Sequence, residues 1–203
     1  MFDEAPARAV TVARATAIGA GAAVTVALPL TFPDDGGPTA FDTAIAEPVA
    51  SALSPGAAEV LVAPSDGPVV LLLLLCGCAW FAARREWRRA VTMLVVPEVI
   101  LAVNTWLLKP LWDRRIEDYL AYPSGHTVHL VAVATTFACL VTSTTARIVV
   151  AALIVLAVLV ITPGMVELGY HHPTDVLGGA AAAAAMAIGL CLLARPRTRS
   201  GDD

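Results

Sequence analysis

The stretch GPVVLLLLLCGCAWFAARREWRR, residues 67–89, joins an apolar run to four arginines. A helix needs about 20 mostly apolar residues to cross the hydrocarbon core of a bilayer, and residues 67–83 come close to that length. The whole chain has the same character, because 58% of its 203 residues are hydrophobic and 15% are charged, whereas soluble domains have about 25% charged residues. The net charge of −4 offers no basic surface for nucleic acid. We therefore predict an integral membrane protein that does not bind nucleic acid.

Six apolar segments are candidates for membrane-spanning helices. They are approximately residues 10–31, 67–83, 90–108, 127–143, 146–163 and 175–194. We predict an all-α, polytopic bundle of six transmembrane helices that forms one domain over residues 1–203. The first segment is expected to be a span and not a signal peptide, because Asp3 and Glu4 precede its arginines and the run is long enough to cross.

The arginines between and beside these segments predict the orientation. Lys and Arg are enriched in cytoplasmic loops. The arginines that this rule places in the cytoplasm are Arg8, Arg14, Arg84, Arg85, Arg88, Arg89, Arg147, Arg195, Arg197 and Arg199. With six spans, both termini of a multi-pass cell-membrane protein are then cytoplasmic. Residues 32–66, 109–126 and 164–174 are predicted to lie outside.

The outer segment 32–66 contains one stretch with a helical pattern. Phe41, Ile45, Val49 and Leu53 recur every four residues, which is typical of a short helix lying on the outer leaflet. Pro48 interrupts this pattern and favours an irregular loop. The sequence leaves both interpretations open.

The sequence AYPSGHTVH, residues 121–129, places polar residues directly before an apolar run. Ser124 is a good helix N-cap, and Gly125 lets the backbone approach a ligand closely. A helix N-terminus offers free N–H groups and the positive end of the helix dipole, so it can bind an anion beside His126. The alternative is a plain helix cap with an incidental histidine.

The sequence HHPTDVLGG, residues 171–179, gives a second polar helix start. His171 and Asp175 are four residues apart, so the carboxylate can orient the imidazole as a nucleophile or base. A polar cap at the membrane interface and a metal site are the alternatives.

Three basic residues, Lys109, Arg114 and Arg115, share the outer segment that ends at the first of these helix starts. Cations beside helix N–H groups are typical of a phosphate site and unfavourable for a metal cation. Basic side chains that snorkel to the interface are the alternative interpretation.

Together these residues resemble the type 2 phosphatidic acid phosphatase (PAP2) superfamily over about residues 90–190. Its motifs are Lys-x6-Arg-Pro, Pro-Ser-Gly-His and Ser-Arg-x5-His-x3-Asp. The second motif is complete at 123–126, and the third retains His171 and Asp175. Two departures stand out. Arg115 follows Lys109 after five residues and precedes isoleucine, and Met165 occupies the position of the third-motif arginine.

The resemblance implies a six-helix lipid phosphatase that uses no metal and no other cofactor. His171 would form a phosphohistidine, Asp175 would orient it, and His126 would serve as acid and base. The groups expected to hold the phosphate are Lys109, Arg115 or Arg114, Ser124 and Gly125. The substrate would be an outer-leaflet lipid phosphate or diphosphate drawn from the surrounding membrane lipids. Polyprenyl phosphate or diphosphate is favoured by analogy with bacterial members, and phosphatidate or phosphatidylglycerol phosphate would also fit.

Two other functions remain open at this point. A relative without activity could bind lipids as a scaffold, since Met165 leaves the phosphate cradle incomplete. A metal-dependent hydrolase could use His126, His171, His172 and Asp175, with Glu167 as a further candidate ligand. We further expect Arg114 to compensate for Met165 by reaching the phosphate. His129 and His172 match no motif position and are interpreted as packing or interface residues.

Overall fold

The computed structural model describes residues 4–194, with side chains described from Val10 onward. Of the arginines used to predict the orientation, Arg195, Arg197 and Arg199 lie outside these residues. The side chain of Arg8 is not described either.

Nine α-helices account for most of the described chain. They are α1 (Glu4–Ala27), α2 (Ala40–Ala52), α3 (Pro55–Val62), α4 (Gly67–Ala83), α5 (Trp87–Val103), α6 (Lys109–Trp112), α7 (Gly125–Leu140), α8 (Thr144–Glu167) and α9 (Pro173–Leu193). Short 3₁₀ turns follow α1 and α3, at Leu28–Thr31 and Ala63–Ser65, and a π turn at Asn104–Leu108 joins α5 to α6. A small antiparallel hairpin pairs β1 (Arg115–Ile116) with β2 (Tyr119–Leu120).

The predicted all-α membrane bundle is confirmed. Within the described residues, five helical stretches are long and apolar enough to cross a bilayer. These stretches are Val10–Thr31, Pro55–Ala83, Trp87–Trp112, Thr144–Glu167 and Pro173–Leu193. The remaining predicted segment forms α7, which is apolar but shorter. Its 16 residues span about 24 Å at 1.5 Å per residue, less than the hydrocarbon thickness of about 30 Å.

Helix α7 lies at the centre of the bundle, which explains how a short helix is accommodated. It packs against α4, α5, α8 and α9, and α1 packs on the far side of α9. Val128, Val131 and Ala132 of α7 are buried in one apolar cluster, while Leu130 and Val133 belong to another. Small residues dominate α9, and small residues allow transmembrane helices to approach closely.

The segment 39–53 forms helix α2, so the helical interpretation holds and the irregular loop does not. Thr39 caps the helix, and its side chain and backbone exchange hydrogen bonds with Asp42. Pro48 lies inside the helix. Helix α2 packs against α8 and α9, and α3 packs against α8. The segment 32–66 is therefore folded onto the bundle.

The two ends of the bundle differ in their charged groups. Helices α4, α7 and α9 begin at the end that carries the predicted site, and α5 and α8 return to it. The opposite end carries Arg84 and Arg85 after α4, Arg88 and Arg89 in the first turn of α5, and Arg147 near the start of α8. The separation of charge predicted from the sequence is thus present in the described part of the fold.

Candidate active site

A cavity of about 330 Å³ lies where these helix ends meet. Its walls come from the start of α4, the end of α5, the hairpin, the start of α7 and the loop before α9. The lining residues are Ser65, Gly67, Leu101, Lys109, Tyr119, Gly125, His126, His129 and His171. Both predicted catalytic histidines and Lys109 therefore border one cavity, although they are separated by up to 62 positions in the chain.

His171 is buried and stands next to the predicted carboxylate. Its Nδ1 atom is 3.8 Å from Oδ2 of Asp175, slightly beyond hydrogen-bond distance. Among the described residues this Nδ1 atom has no hydrogen-bond partner. A shift of under 1 Å would complete the pair, and apo active sites often hold such bonds long before substrate arrives. The Nε2 atom is then the ring nitrogen free to react.

Asp175 is fully buried and is held from three directions. Arg114 donates from Nη1 to Oδ1 at 2.8 Å, and the backbone N–H of His172 donates to Oδ2 at 2.9 Å. The carbonyl of Asp175 accepts from the backbone N–H of Ser124 at 3.0 Å. This last bond ties the start of α9 to the start of α7, so the two predicted motifs are fixed relative to each other.

Glycine at position 178 makes this close approach of the two helices feasible. A Cβ atom there would lie 2.2 Å from Cε2 of Tyr122, on the loop that leads into α7. The Tyr122 hydroxyl donates to the carbonyl of Thr25 in α1 at 2.7 Å. The ring of Tyr122 is therefore held between α1 and α9.

His126 stands in the first turn of α7 beside the other histidine. The ring centroids of His126 and His171 are 5.9 Å apart, and the planes are nearly perpendicular. On its other side His126 stacks on Tyr170, with centroids 6.3 Å apart. The arrangement places two imidazoles at one cavity, as a nucleophile and an acid–base group require.

The N-terminus of α7 borders the cavity through Gly125. The side chain of Ser124 is buried and acts as the cap, accepting from the Thr127 backbone at 3.4 Å and from the Thr127 hydroxyl at 3.1 Å. The Ser124 hydroxyl is thus engaged as the cap of α7 through its bonds with Thr127. The N–H groups of Gly125 and His126 are the ones at this helix end that can receive an anion.

Lys109 reaches the cavity directly after the π turn of residues 104–108. Its Nζ atom donates to the carbonyl of Leu120 in the hairpin. At the start of the π turn, Asn104 is buried and donates from Nδ2 to the carbonyl of Pro123 at 3.3 Å. The irregular helix end therefore connects Lys109 to the same loop that carries the Pro-Ser-Gly-His sequence.

The position of Arg114 does not agree with its predicted role as a phosphate ligand. Its guanidinium is buried and makes five hydrogen bonds, one for each N–H group. The acceptors are the carbonyls of Gly36 and Gly37, the hydroxyl of Thr174, and the carboxylates of Asp42 and Asp175. Its Cζ atom also lies 3.8 Å above the ring of Phe32. No donor remains for a phosphate oxygen.

Arg115 also departs from its predicted place at the phosphate. It lies on the exposed face of the hairpin, where its guanidinium pairs with Asp113 at 3.1 Å. More than half of each side chain in this pair is exposed. In this structure Lys109 is the only basic side chain of the predicted trio that lines the described cavity.

Met165 is fully buried and belongs to the apolar cluster that includes Ile161 and Val176. Its sulfur lies 4.0 Å from the Ser124 hydroxyl, which donates to it. The carbonyl of Met165 accepts the backbone N–H of Tyr170 at 2.9 Å. The expected exchange of Arg114 for the missing arginine is not supported, because Arg114 is fully engaged elsewhere and Met165 packs in the protein interior.

Two residues that the sequence did not single out prove important at the site. Asp42 is fully buried and bonds both Arg114 and Thr174. Burial alone raises the pKa of Asp42, but hydrogen bonds from Thr39, Thr174 and Arg114 outweigh this and hold the pKa below its ordinary value. The Thr39–Asp42 capping-box spacing was the available signal, and it indicated only a helix start.

Tyr119 is the second residue that the sequence did not single out. Its hydroxyl donates to the carbonyls of Gly169 and Tyr170, and its ring meets the ring of His171 edge-on with centroids 6.1 Å apart. Burial, followed by the charge of Asp175, raises the pKa of Tyr119. The hydroxyl therefore stays protonated and joins the hairpin to the loop before α9.

The alternative metal site finds no geometric support in the described chain. Among the side chains described, those of residues 10–194, no group of three or more His, Cys, Asp or Glu is arranged to hold a metal ion. His172 is the N-cap residue of α9 and donates its backbone N–H to Asp175. Burial and the nearby charge of Arg114 lower the pKa of His172.

His129 borders the same cavity and forms a pair that was not predicted. Its Nε2 atom is 3.1 Å from Oε1 of Glu98 in α5. An ionisable pair between two membrane helices is unusual and often functional. It lies one turn deeper than His126 on α7, so it borders the cavity on the side that faces the bilayer interior.

A larger, apolar cavity of about 600 Å³ adjoins this site. One face of α4, with Val69, Leu73 and Trp80, forms one wall, and α7 and α8 supply others through residues such as Phe137 and Ala157. Pro64 borders it, while the neighbouring Ser65 borders the histidine cavity. An apolar groove therefore begins beside the polar cavity and extends along the membrane-spanning part of α4.

Comparisons with known proteins agree with this fold. A family model described as PAP2 superfamily matches residues 69–199. A solved structure, described as the first transmembrane PAP2 type phosphatidylglycerolphosphate phosphatase from Bacillus subtilis, is similar with a TM-score of 0.62 and 23% sequence identity. The similarity covers 74% of this chain and 82% of the Bacillus chain. A comparison with curated proteins finds no match.

Proposed function

The chain belongs to the PAP2 superfamily, and on that premise we propose that it is a membrane lipid phosphatase that works through a phosphohistidine. The observation that carries the proposal is the meeting of His126, His171 and Lys109 with the N-terminus of α7 at one cavity. Cations and helix N–H groups hold phosphate oxygens, and two imidazoles can divide nucleophilic and acid–base work.

In the first step His171 attacks phosphorus, and the bond from phosphorus to the lipid oxygen breaks. His126 gives its proton to the departing lipid oxygen. Lys109 and the N–H groups of Gly125 and His126 hold the phosphoryl oxygens, since positioning and charge stabilisation supply most of the catalysis in phosphoryl transfer. Asp175 orients His171 and stabilises the charge that forms on its ring.

In the second step a water molecule replaces the lipid alcohol at the site. His126, now neutral, takes a proton from this water as it attacks phosphorus. The bond from phosphorus to His171 breaks, inorganic phosphate leaves, and both histidines return to their starting states. None of these steps requires a metal ion.

The charge at the cavity supports a phosphate monoester more than a diphosphate. Lys109 is the lining cation, while Arg114 and Arg115 bond to protein carboxylates. The adjoining apolar groove fits the hydrocarbon tail of the same molecule. Polyprenyl phosphate, phosphatidate and phosphatidylglycerol phosphate all meet these conditions, and the last is the substrate named for the similar Bacillus protein.

The site is proposed to face the outside of the cell membrane, with both termini in the cytoplasm. The support is that the arginines around the turn from α4 to α5, and Arg147, lie at the far end of the bundle. Substrates would then be lipid phosphates presented in the outer leaflet.

Phosphate release from a panel of lipid phosphates by the detergent-purified chain tests the function. We expect turnover of at least one lipid monophosphate, unchanged by EDTA, and its loss in His171→Ala. Turnover that EDTA abolishes would contradict metal independence. Absence of turnover on every lipid phosphate would instead favour a lipid-binding relative without activity.

A further inference from the structure

We propose that Asp42 and Arg114 are positioning residues for the catalytic carboxylate, so that the outer helix α2 forms part of the active-site machinery. The inference rests on the proposed function, because Asp175 is assigned there as the group that orients the nucleophile. It assigns a role to Asp42, which lies outside the region matched by the family model. It also explains why Arg114 does not face the phosphate cavity.

The guanidinium of Arg114 bridges two carboxylates at the centre of the network. Its Nη1 atom is 2.8 Å from Asp175, and its Nη2 atom is 3.1 Å from Asp42. All three side chains are essentially inaccessible to solvent. Buried charges persist only when they are paired and hydrogen-bonded, and each of these three meets that condition.

Asp42 also holds the first turn of α9 directly. Its Oδ1 atom accepts the backbone N–H of Thr174 at 2.8 Å, and its Oδ2 atom accepts the Thr174 hydroxyl at 2.9 Å. Thr174 immediately precedes Asp175 in the chain. Asp42 therefore controls both the backbone that carries the catalytic carboxylate and the guanidinium that bonds to it.

The position of Asp175 matters because its distance to His171 is close to the upper limit of a hydrogen bond. The Nδ1 atom of His171 is 3.8 Å from Oδ2 of Asp175 and has no other partner within residues 4–194. Both oxygens of Asp175 are already fixed, one by Arg114 and one by the His172 N–H. A displacement of under 1 Å then decides whether the imidazole is oriented by a hydrogen bond.

The network joins three parts of the chain that lie far apart in sequence. Arg114 also bonds to the carbonyls of Gly36 and Gly37, and its guanidinium covers the ring of Phe32. The outer segment before α2 thus wraps around the guanidinium and leaves it a single arrangement. This is the environment expected of a support that holds a reacting group within a few tenths of an ångström.

The experiment compares Asp42→Asn with the wild-type chain in detergent. Asparagine has nearly the same shape and removes the charge that fixes Arg114. Glu47→Gln is the matched control, because it removes a charge from an exposed position of the same helix. We measure kcat and KM for a lipid monophosphate, the inhibition constant of inorganic phosphate, and thermal unfolding. Lys109→Ala serves as the reference for a residue that contacts phosphate.

We expect Asp42→Asn to lower kcat by about 10²-fold, the scale of a misplacement near 1 Å. In this variant KM and the inhibition constant of phosphate should remain close to the wild-type values. Lys109→Ala, in contrast, should raise the inhibition constant of phosphate. Glu47→Gln should behave as wild type. If Asp42→Asn weakens phosphate inhibition as Lys109→Ala does, or lowers only the folded fraction with kcat per folded molecule unchanged, the positioning role is overturned.

Arg114→Gln provides a second variant that separates positioning from phosphate binding. We expect a fall in kcat with the phosphate inhibition constant retained. A large rise in that constant would make Arg114 a phosphate ligand and overturn the inference.

A spectroscopic measurement keeps the inference separate from the proposed function. In histidine-¹⁵N-labelled protein, the His171 signals, assigned with a His171→Gln spectrum, report which ring nitrogen carries the proton. We expect the Nδ1-protonated form in the wild type and a mixture in Asp42→Asn. Failure of the wild type to hydrolyse any lipid phosphate would count against the function alone, while identical spectra would count against the positioning role.

Discussion

At the scale of single residues, the chemistry of the site depends on which polar groups remain free. Arg114 and Lys109 belong to the same short segment, yet Arg114 donates all its N–H groups to protein acceptors while Lys109 borders the cavity. His171 keeps a ring nitrogen without a partner among the described groups. Residue type alone therefore does not tell which basic side chain of this segment borders the cavity.

Replacement of each of the two histidines is expected to block a different step of the reaction. His171→Ala removes the nucleophile, so turnover should fall on the order of 10⁴-fold or more and no phosphoenzyme should form. His126→Ala leaves the nucleophile and slows protonation and hydrolysis, so a phosphoenzyme should form slowly and persist. Labelling with a phosphate-labelled substrate, followed by acid and base treatment, distinguishes them, because phosphohistidine is acid-labile and base-stable. Persistent label in His171→Ala would show that the nucleophile is misassigned.

Met165→Arg is expected to damage the fold and not to improve the site. The side chain of Met165 is fully buried beside Ile161 and Val176, so arginine would introduce a charge without a partner. An uncompensated buried charge costs about 3–5 kcal/mol. Thermal unfolding in detergent should show a lower midpoint, with no rise in kcat. Met165→Leu, which keeps volume and apolarity, is the control and should remain close to wild type. A gain in kcat in the arginine variant would place residue 165 at the phosphate.

At the scale of helices and turns, the site is assembled where α7 and α9 begin. Their starts are joined by the bond from the Ser124 N–H to the Asp175 carbonyl, and the approach depends on Gly178 beside Tyr122. A π turn before Lys109 ends α5 irregularly and leads into the hairpin. Irregular helix turns of this kind are frequent at functional sites. The candidate site is therefore built from helix termini, where backbone groups are unpaired.

Gly178→Ala is expected to separate the two helix starts. The new Cβ atom would meet the ring of Tyr122 at 2.2 Å, and overpacking of this kind costs about 1–3 kcal/mol or more. Gly189→Ala in the same helix is the matched control, because nothing lies within 4 Å of the corresponding Cβ atom. The measurements are the unfolding midpoint and kcat in detergent. Equal behaviour of the two variants would mean that the close contact is not needed.

At the scale of the whole molecule, the polar cavity and the apolar groove lie next to each other, an arrangement that suits a lipid phosphate. The groove follows α4 between α7 and α8 and contains residues from Pro64 at the site end to Trp80 at the other. Arg84 covers the ring of Trp80 at 3.5 Å, near the arginine-rich end of the bundle. The head group and the tail of one substrate would thus contact different layers of the same bundle.

Filling the groove should affect long tails more than short ones. Ala157→Phe would occupy the space that Ala157 leaves beside α4 and α7. We expect KM for a long-chain lipid phosphate to rise about tenfold, equivalent to displacing about two methylene groups. A water-soluble analogue with a short tail should be hydrolysed as before. Ala152→Phe, at an exposed position of the same helix, is the control. Equal loss for both tail lengths would exclude the groove as the tail site.

The proposed orientation predicts which end of the bundle is accessible from outside. In a background without the four native cysteines, a cysteine at Asp118 should react with a membrane-impermeant thiol reagent in intact cells. A cysteine at Trp87 should react only after lysis. Both positions are exposed in the structure, so accessibility depends on the side of the membrane. The reverse pattern would overturn the orientation and the outer-leaflet substrate.

The sequence by itself determined the features that depend on residues close together along the chain. A bilayer requires about 20 apolar residues for each span, so composition alone located α4, α5, α8 and α9 to within a few residues. Helix-start signals placed His126 and Asp175 in the first turns of α7 and α9, because capping acts within three or four residues. His171 and Lys109 were also predicted from the sequence as residues of the site.

Only the tertiary structure decided which polar side chains face the cavity. Arg114 and Asp42 are separated by 72 positions, and no local pattern indicates that they bond. Their pairing engages Arg114 away from the cavity and joins helix α2 to Asp175 through its guanidinium, which the sequence did not predict. The packing of distant segments likewise leaves Arg115 exposed and Met165 buried. A side chain's environment is set by the segments that pack against it, and this packing is a property of the folded bundle as a whole.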